Sequence, residues 1–311
     1  MSANPLVSII TPSFNQARFL EQTMRSVLEQ DYPNIEYLVA DGASTDGSVD
    51  LIRKVEKKLA WWTSEKDEGQ ADAINKGLSR AKGEIVAWLN SDDYYMPGAV
   101  ASAVKALMDH PQAGFVFGNV RVVAEDESII NQLTYGDWGL ADLMAFRIIG
   151  QPAVFMRREV LERAGSLDLS YHLLLDHQLW IRMAMEGKMV YVPQLWASAH
   201  YYDDCKNLAM AAGFGSEAKR IVQWMQSNPR LTGVYNGNRR RIQAGAERLN
   251  AFYLLDAREY ASAFRAYCKA FCLSPAVVMP EWYRMVYAFF APLGLEKLKE
   301  RFLEKRKKKL N

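Results

Sequence analysis

Short apolar runs alternate with amphipathic helical patterns through the first hundred residues, and few folds accommodate that rhythm. "LVSII" (6–10), "IEYLVA" (35–40), "AWWTS" (60–64) and "EIVAWL" (84–89) are rich in β-branched and aromatic residues and are predicted strands. Between them, residues 18–30, 48–59 and 70–81 repeat apolar side chains at helical spacing; in the first, Phe19, Leu20, Met24, Val27 and Leu28 share one face. Strand, helix, strand in this order implies parallel strands joined by right-handed crossovers, hence a Rossmann-like, three-layer α/β/α arrangement around a mostly parallel sheet. The pattern continues with a helix over 97–109, a strand over 114–123, a strand leading into a helix over 153–165, a helix over 176–187 and a β segment over 189–194. Strands vanish from about 207, and three further amphipathic helices follow. The expected organisation is an α/β domain over 1–205 and a C-terminal helical appendage with a basic tail over 206–311.

Half of the 311 residues are apolar and 24% are charged, which is a globular composition. Lys and Arg total 38 against 36 Asp and Glu, so the chain as a whole is not built to coat nucleic acid. Cys205, Cys268 and Cys272 are too few for a disulfide framework; the last two, without further ligands at metal spacing, are expected to be buried thiols in a reducing compartment. The first residues lack a basic stretch followed by an apolar core, and no run of 18 apolar residues is uninterrupted. A cytoplasmic location is expected. The last fifteen residues hold eight Lys or Arg and only two Glu, and Trp282, Tyr283, Tyr287, Phe289 and Phe290 precede them. Such a pairing suits peripheral contact with the inner face of an anionic membrane; a plain helical cap with a solvated tail is the alternative.

In a parallel sheet the loops after the strands share one rim, where ligands of open α/β folds bind. Here they read "TPSFN" (11–15), "DGASTDGS" (41–48), "EKDEGQADA" (65–73) and "NSDD" (90–93). Hydroxyls, an amide, several carboxylates and Lys66 thus converge. No GxGxxG or GxxxxGK[ST] pattern is present, so a glycine cradle is not the means of holding phosphate. A hard divalent cation, Mg²⁺ or Mn²⁺, gripped by one or two carboxylates and by substrate phosphates, is the other solution, and the adjacent Asp92 and Asp93 suit it. Alone, such a pair equally well forms a turn or helix cap before Pro97.

Three stretches resemble family 2 glycosyltransferases of the GT-A type. They are "VSIITPSFNQARFLEQTMRSVLEQDYPNIEYLVADGASTDGS", "DEGQADAINKGLSRAKGEIVAWLNSDD" and "GQPAVFMRREVLERAGSLDLSYHLLLDHQLW", in the family's order across most of 6–182. The resemblance implies a GT-A nucleotide-diphospho-sugar transferase fold and transfer of a sugar from a nucleoside-diphosphate donor, UDP above all, to a glycan or lipid-linked acceptor in cell-surface polysaccharide synthesis. It implies that Ser91-Asp92-Asp93 is the DxD-type element, with Asp93 nearest the metal. Thr11, Ser13 and Asn15 would open the nucleotide pocket, Asp41 meet the base, Asp46 lie under the ribose or shape the family's turn, and Asp72 approach the donor. A strand-end carboxylate also suits the N3–H donor of uracil, although Asp41-Gly42 and Asp46-Gly47 are equally turn formers, and Asp72 would suit a helix N-terminus in any case.

An acceptor hydroxyl must lose its proton as it attacks the anomeric carbon, and a placed carboxylate can take it. Asp176 in "LLLDHQLW" matches the first acid of the family's "DYDLW" pattern, while His177 and Gln178 replace the tyrosine and second acid. An N-cap is its alternative role. A single displacement of this kind inverts the anomeric configuration. By the same resemblance Gln151 in "GQPAVFMRR" lines the acceptor side. "WASAHYYDDCKN" is similar to a family loop carrying an arginine and a histidine two residues apart, here His200 and Tyr202, and His200 joins Asp93 as a candidate metal ligand. Two other functions share the acidic pair: a metal-dependent nucleotidyltransferase, whose glycine-rich Arg/Lys loop "TPSFNQARF" lacks, and a sugar-nucleotide-binding scaffold without catalysis.

Overall fold

A computed structural model describes residues 2–202 and 210–293; Cys205 and the basic stretch 297–311 lie outside them. Backbone packing divides the chain into two compact units, Met1–Gly139 with Ile149–Tyr201, and Leu140–Ile148 with the residues from Tyr202 onward.

The first unit begins with β1 (Val7–Ser13), α1 (Ala17–Leu28), β2 (Ile35–Asp41), α2 (Ser48–Val55), β3 (Trp61–Ser64), α3 (Gln70–Arg80) and β4 (Ile85–Trp88). It continues with β5 (Asp93–Tyr95), α4 (Ala99–Asp109), β6 (Ala113–Val123) and β7 (Ile129–Leu133). The short α5 (Leu140–Met144) belongs to the other unit; β8 (Val154–Arg157), α6 (Arg158–Ala164), α7 (Leu175–Glu186) and β9 (Lys188–His200) complete the first. Among the described residues the strands form one nine-stranded sheet of order β3-β2-β1-β4-β8-β6-β9-β5, with β7 on β6. The first four are mutually parallel, β8 runs against both neighbours, and β6 and β9 are parallel again. The sheet is mixed but largely parallel, flanked by helices: a GT-A type fold.

Burial explains the elements. All seven residues of β1 are buried, as a strand flanked on both edges and covered on both faces requires. Helix α1 lays Phe19, Leu20, Met24 and Val27 onto the core, the face read from its sequence. Helix α3 approaches β1 so closely that a Cβ at Gly77 would collide with Ile10. The helix predicted over 48–59 stops at Val55, and a single 3-10 turn, Glu56–Lys58, follows, because no residue of that turn is buried. The β segment predicted over 189–194 runs on to His200, so His200 ends a strand and does not sit in a loop. The continuation was hidden by Pro193: it lies where pairing with β6 skips from Phe117–Tyr191 to Asn119–Leu195, an irregularity that tolerates a residue without an N–H.

The second unit contains α5, α8 (Phe214–Ser227), α9 (Thr232–Asp256), α10 (Tyr260–Leu273), α11 (Pro275–Val278) and α12 (Trp282–Phe290). Its core includes Leu254, Leu255, Tyr267, Val278 and Ala288. The cysteines expected inside are not: Cys268 is half-buried and Cys272 exposed. The inward face of α10 is made by Ala263, Ala266, Tyr267 and Ala270, which leaves Cys272 on the other side.

Candidate functional site at the sheet rim

Strand register decides what meets at the rim. Ser13 lies opposite Asp41, and Asp41 opposite Ser64, so the ends of β1, β2 and β3 stand in line. Strand β4, paired with β1 up to Ile10–Trp88, delivers Asn90–Asp93 to the same edge. The loops then hold one another. The Asn15 amide donates to Ser44 Oγ at 2.8 Å, the Thr45 amide to Asn15 Oδ1 at 2.9 Å, and the Ala17 amide to Asp46 Oδ2 at 2.8 Å. Asn15 takes a left-handed backbone, φ 52°, which an asparagine tolerates better than most residues. Gly42 is pressed against the third loop, since a Cβ there would fall 2.7 Å from Asp67 Oδ2. Gln70 Nε2 donates to Asn90 Oδ1 at 2.7 Å, tying the third loop to the fourth.

Asp41 is fully buried; its carboxylate accepts from the Ser44 amide and hydroxyl at 2.9 and 2.5 Å and from the Ser64 hydroxyl at 2.6 Å. Asp46 caps α1 through Ala17 and binds the Ser48 hydroxyl at 2.6 Å and amide at 3.0 Å. Burial alone would raise its pKa, but the hydrogen bonds from Ser48 and Ala17 outweigh it and the pKa is lowered. Thr11 is buried and accepts from the Tyr37 hydroxyl at 2.9 Å, whereas the buried Ser13 Oγ has no hydrogen-bond partner. Asp72, in the first turn of α3, accepts from the Glu68 amide and pairs with Lys76 at 3.3 Å; Lys66 is exposed, and its carbonyl accepts from Lys76.

The acidic pair lies deeper than an isolated turn would place it. Asp93 is only 6% exposed. Burial foremost, and then the neighbouring Asp92, push its pKa well up; Asn90 and the His200 amide, donating to the carboxylate, pull the other way. From behind, Thr23 Oγ1 of α1 lies 2.9 Å from the Ser91 carbonyl and 2.7 Å from that of Asp93. His200 is buried too, its ring stacked on Phe19 at 4.5 Å. Its Nδ1 is 2.6 Å from the Asp92 carbonyl and its Nε2 3.0 Å from Glu127 Oε1, so His200 can ligate a cation only by giving up one of these contacts. Glu127, on the turn before β7, also accepts from Tyr94 at 2.7 Å and Gln22 at 3.1 Å. This brace was not legible in the sequence: nothing in "AEDES" links residue 127 to residue 200.

Gln151 is buried beside β4. Its Nε2 donates to the Trp88 carbonyl at 2.8 Å, and its Oε1 has no donor. Asp176 sits in the first turn of α7, where its Oδ1 accepts from the His177 amide, one turn ahead of Trp180. The Trp180 and Trp88 rings, both fully buried, stack 5.1 Å apart, and this contact packs α7 against β4. Neither indole N–H finds an acceptor.

Residues 8–162 match the Glycosyl transferase family 2. The chain is 31% identical over 193 residues to TuaG of Bacillus subtilis (strain 168), which its name assigns to teichuronic acid biosynthesis; the match covers 60% of this chain and 75% of TuaG. The chain belongs to glycosyl transferase family 2. A second relative is the UDP-Glc:alpha-D-GlcNAc-diphosphoundecaprenol beta-1,3-glucosyltransferase WfaP of Escherichia coli, 27% identical over 58% of this chain and 71% of WfaP. The mannosyltransferase PcManGT from Pyrobaculum calidifontis, solved with GDP-Man and Mn²⁺, shares the fold with a TM-score of 0.59 at 23% identity, covering 94% of this chain and 87% of that one. Among the described residues no three acidic, His or Cys side chains gather into a protein-only metal set. The donor set that is present, two adjacent carboxylates with one deeply buried, fits a hard divalent cation that takes its other ligands from substrate phosphates.

Proposed function

We propose that this family 2 chain is an inverting, metal-dependent glycosyltransferase that moves a sugar from a UDP-linked donor to a hydroxyl of a glycan or lipid-linked saccharide, in cell-surface polysaccharide synthesis and at the inner face of an anionic membrane. One observation carries the reading: the buried Asp93, raised in pKa beside Asp92, stands on the rim that also presents Asp41 and the unpartnered Ser13 hydroxyl. A carboxylate has about four acceptor sites, and Asp41 uses three of them internally, leaving one for the N3–H of uracil. Thr11, Ser13, Asn15 and Asp46 frame the nucleoside, Lys66 and Asp72 stand on the donor side, and Asp92 and Asp93 would hold Mn²⁺ or Mg²⁺. That ion, when bound, neutralises charge on the departing diphosphate. The names of WfaP and TuaG support the donor and acceptor classes.

In the transfer, the acceptor oxygen bonds to the anomeric carbon from the face opposite the diphosphate, the bond to the diphosphate breaks, and the acceptor proton passes to the Asp176 carboxylate. Gln151 Oε1, buried and without a donor, suits an acceptor hydroxyl. The test is a screen of nucleotide sugars for release of UDP or GDP with Mn²⁺ and Mg²⁺, repeated with Asp176→Asn. A UDP-sugar should be consumed, and the variant should lose about 10²-fold or more in turnover while still binding UDP. Failure to bind any nucleotide sugar sinks the function; an undiminished variant sinks the role of Asp176.

A further inference from the structure

On α12 the usual amphipathic pattern is inverted. Trp282, Tyr283, Val286, Phe289 and Phe290, spaced as one helical face, are 53, 50, 37, 52 and 40% exposed. The helix's one charged residue, Arg284, packs within this unit, its guanidinium 4.2 Å from the Phe252 ring and 3.7 Å from Glu281, and of the exposed face it approaches Tyr283, at 5.9 Å from that ring. Met279 and Phe271 are exposed as well, so seven of the twelve large apolar side chains exposed among the described residues fall within 271–290. Scattered exposed apolar residues are ordinary; a contiguous aromatic face marks a place where something docks. Between α10 and α12 lies a cleft of about 360 Å³ in which Phe264 and Phe289 stand 5.1 Å apart with Arg265 beside them.

Charge identifies the occupant. The chain runs on from Leu293 into eighteen residues that hold eight Lys or Arg and three Glu. A second copy of this chain would bring two such cationic segments together, which like-charge repulsion opposes. A surface that is apolar within and anionic at its edge matches both features at once: aromatic rings favour the boundary between headgroups and acyl chains, and each basic residue near an anionic leaflet adds attraction. No described helix is long and apolar enough to cross a membrane, so contact along the surface is the geometry available to the described helices.

We propose that the outward face of α12 seats this chain on an anionic lipid surface. The inference gives the membrane-facing part of the proposed function a definite place, and it rests on that part alone. The full chain is sedimented with phosphatidylcholine vesicles, with and without phosphatidylglycerol, alongside the triple variant Trp282→Ser, Phe289→Ser, Phe290→Ser. Circular-dichroism melting establishes that both fold. The native chain should follow the phosphatidylglycerol vesicles, and its partition should fall about tenfold or more in the triple variant and also when salt is raised. Three results overturn the inference: a native chain that stays in solution with those vesicles, a triple variant that sediments as the native chain does, or a patch-dependent dimer without lipid binding. A chain that binds the vesicles yet releases no nucleotide from any sugar nucleotide upholds this inference and overturns the transferase reading.

Discussion

Asp93 illustrates a residue that the fold tolerates and does not favour. A carboxylate 6% exposed and next to a second carboxylate is costly to keep charged, and its raised pKa records that cost. Replacing it with asparagine removes the charge and preserves the shape. Asp93→Asn is expected to raise the melting temperature of the metal-free protein by about 2–4 °C, on the order of 1 kcal/mol for a chain of this size. In the proposed function Asp93 is a metal ligand, so the same change should lower kcat/KM by about 10³-fold. Calorimetry and steady-state kinetics on one preparation check both, and a destabilised variant would mean that Asp93 is there for the fold. Thr23, His200 and Glu127 show why such a residue can be kept: they grip the backbone and the flanks of the pair, so its position does not depend on its own carboxylate alone.

Among the elements of the sheet-bearing unit, α3 leaves little tolerance where it meets β1. Its Gly77 faces Ile10 on β1, where no Cβ fits, and its first residue, Gln70, holds Asn90. Alanine would gain about 1 kcal/mol in helix propensity, but overpacking costs about 1–3 kcal/mol, so Gly77→Ala should destabilise on balance. It should also raise the donor KM as the helix is pushed off the sheet. Gly237 in α9 has nothing within 4 Å of where a Cβ would stand, and Gly237→Ala should stabilise by about 0.5–1 kcal/mol. Urea unfolding of the two variants tests the contrast. The helices and the parallel strands were legible from apolar spacing because their burial follows that spacing. β5, β7 and the far half of β9 were not: β5 and β7 are only three and five residues long and "LWASAH" holds no β-branched residue, so their pairing with strands from elsewhere in the chain leaves little local signal.

For the whole molecule, net charge and composition excluded partners without naming one. The site was legible as a set of loops, since parallel strands must deliver their C-terminal ends to one edge, but the brace from Glu127 through His200 to Asp92 depends on contacts across 73 and 108 residues of chain, which no local pattern encodes. In the proposed function donor and cation enter the site as a single occupant, and melting of the intact protein tests this. UDP and Mn²⁺ together should raise the melting temperature, with about 2.7 kcal/mol of stabilisation when ligand stands at a hundred times its Kd. Either alone should give little, and EDTA should abolish the gain. An equal shift from UDP alone would detach nucleotide binding from the acidic pair.

The interlocked rim has a kinetic corollary. Asn15, Ser44, Asp46, Gln70 and Asn90 already occupy one another's hydrogen-bonding groups, so an arriving nucleotide has little backbone to fold around itself. Capture should then proceed at similar rates for rival sugar nucleotides, and selectivity should reside in how long each one stays.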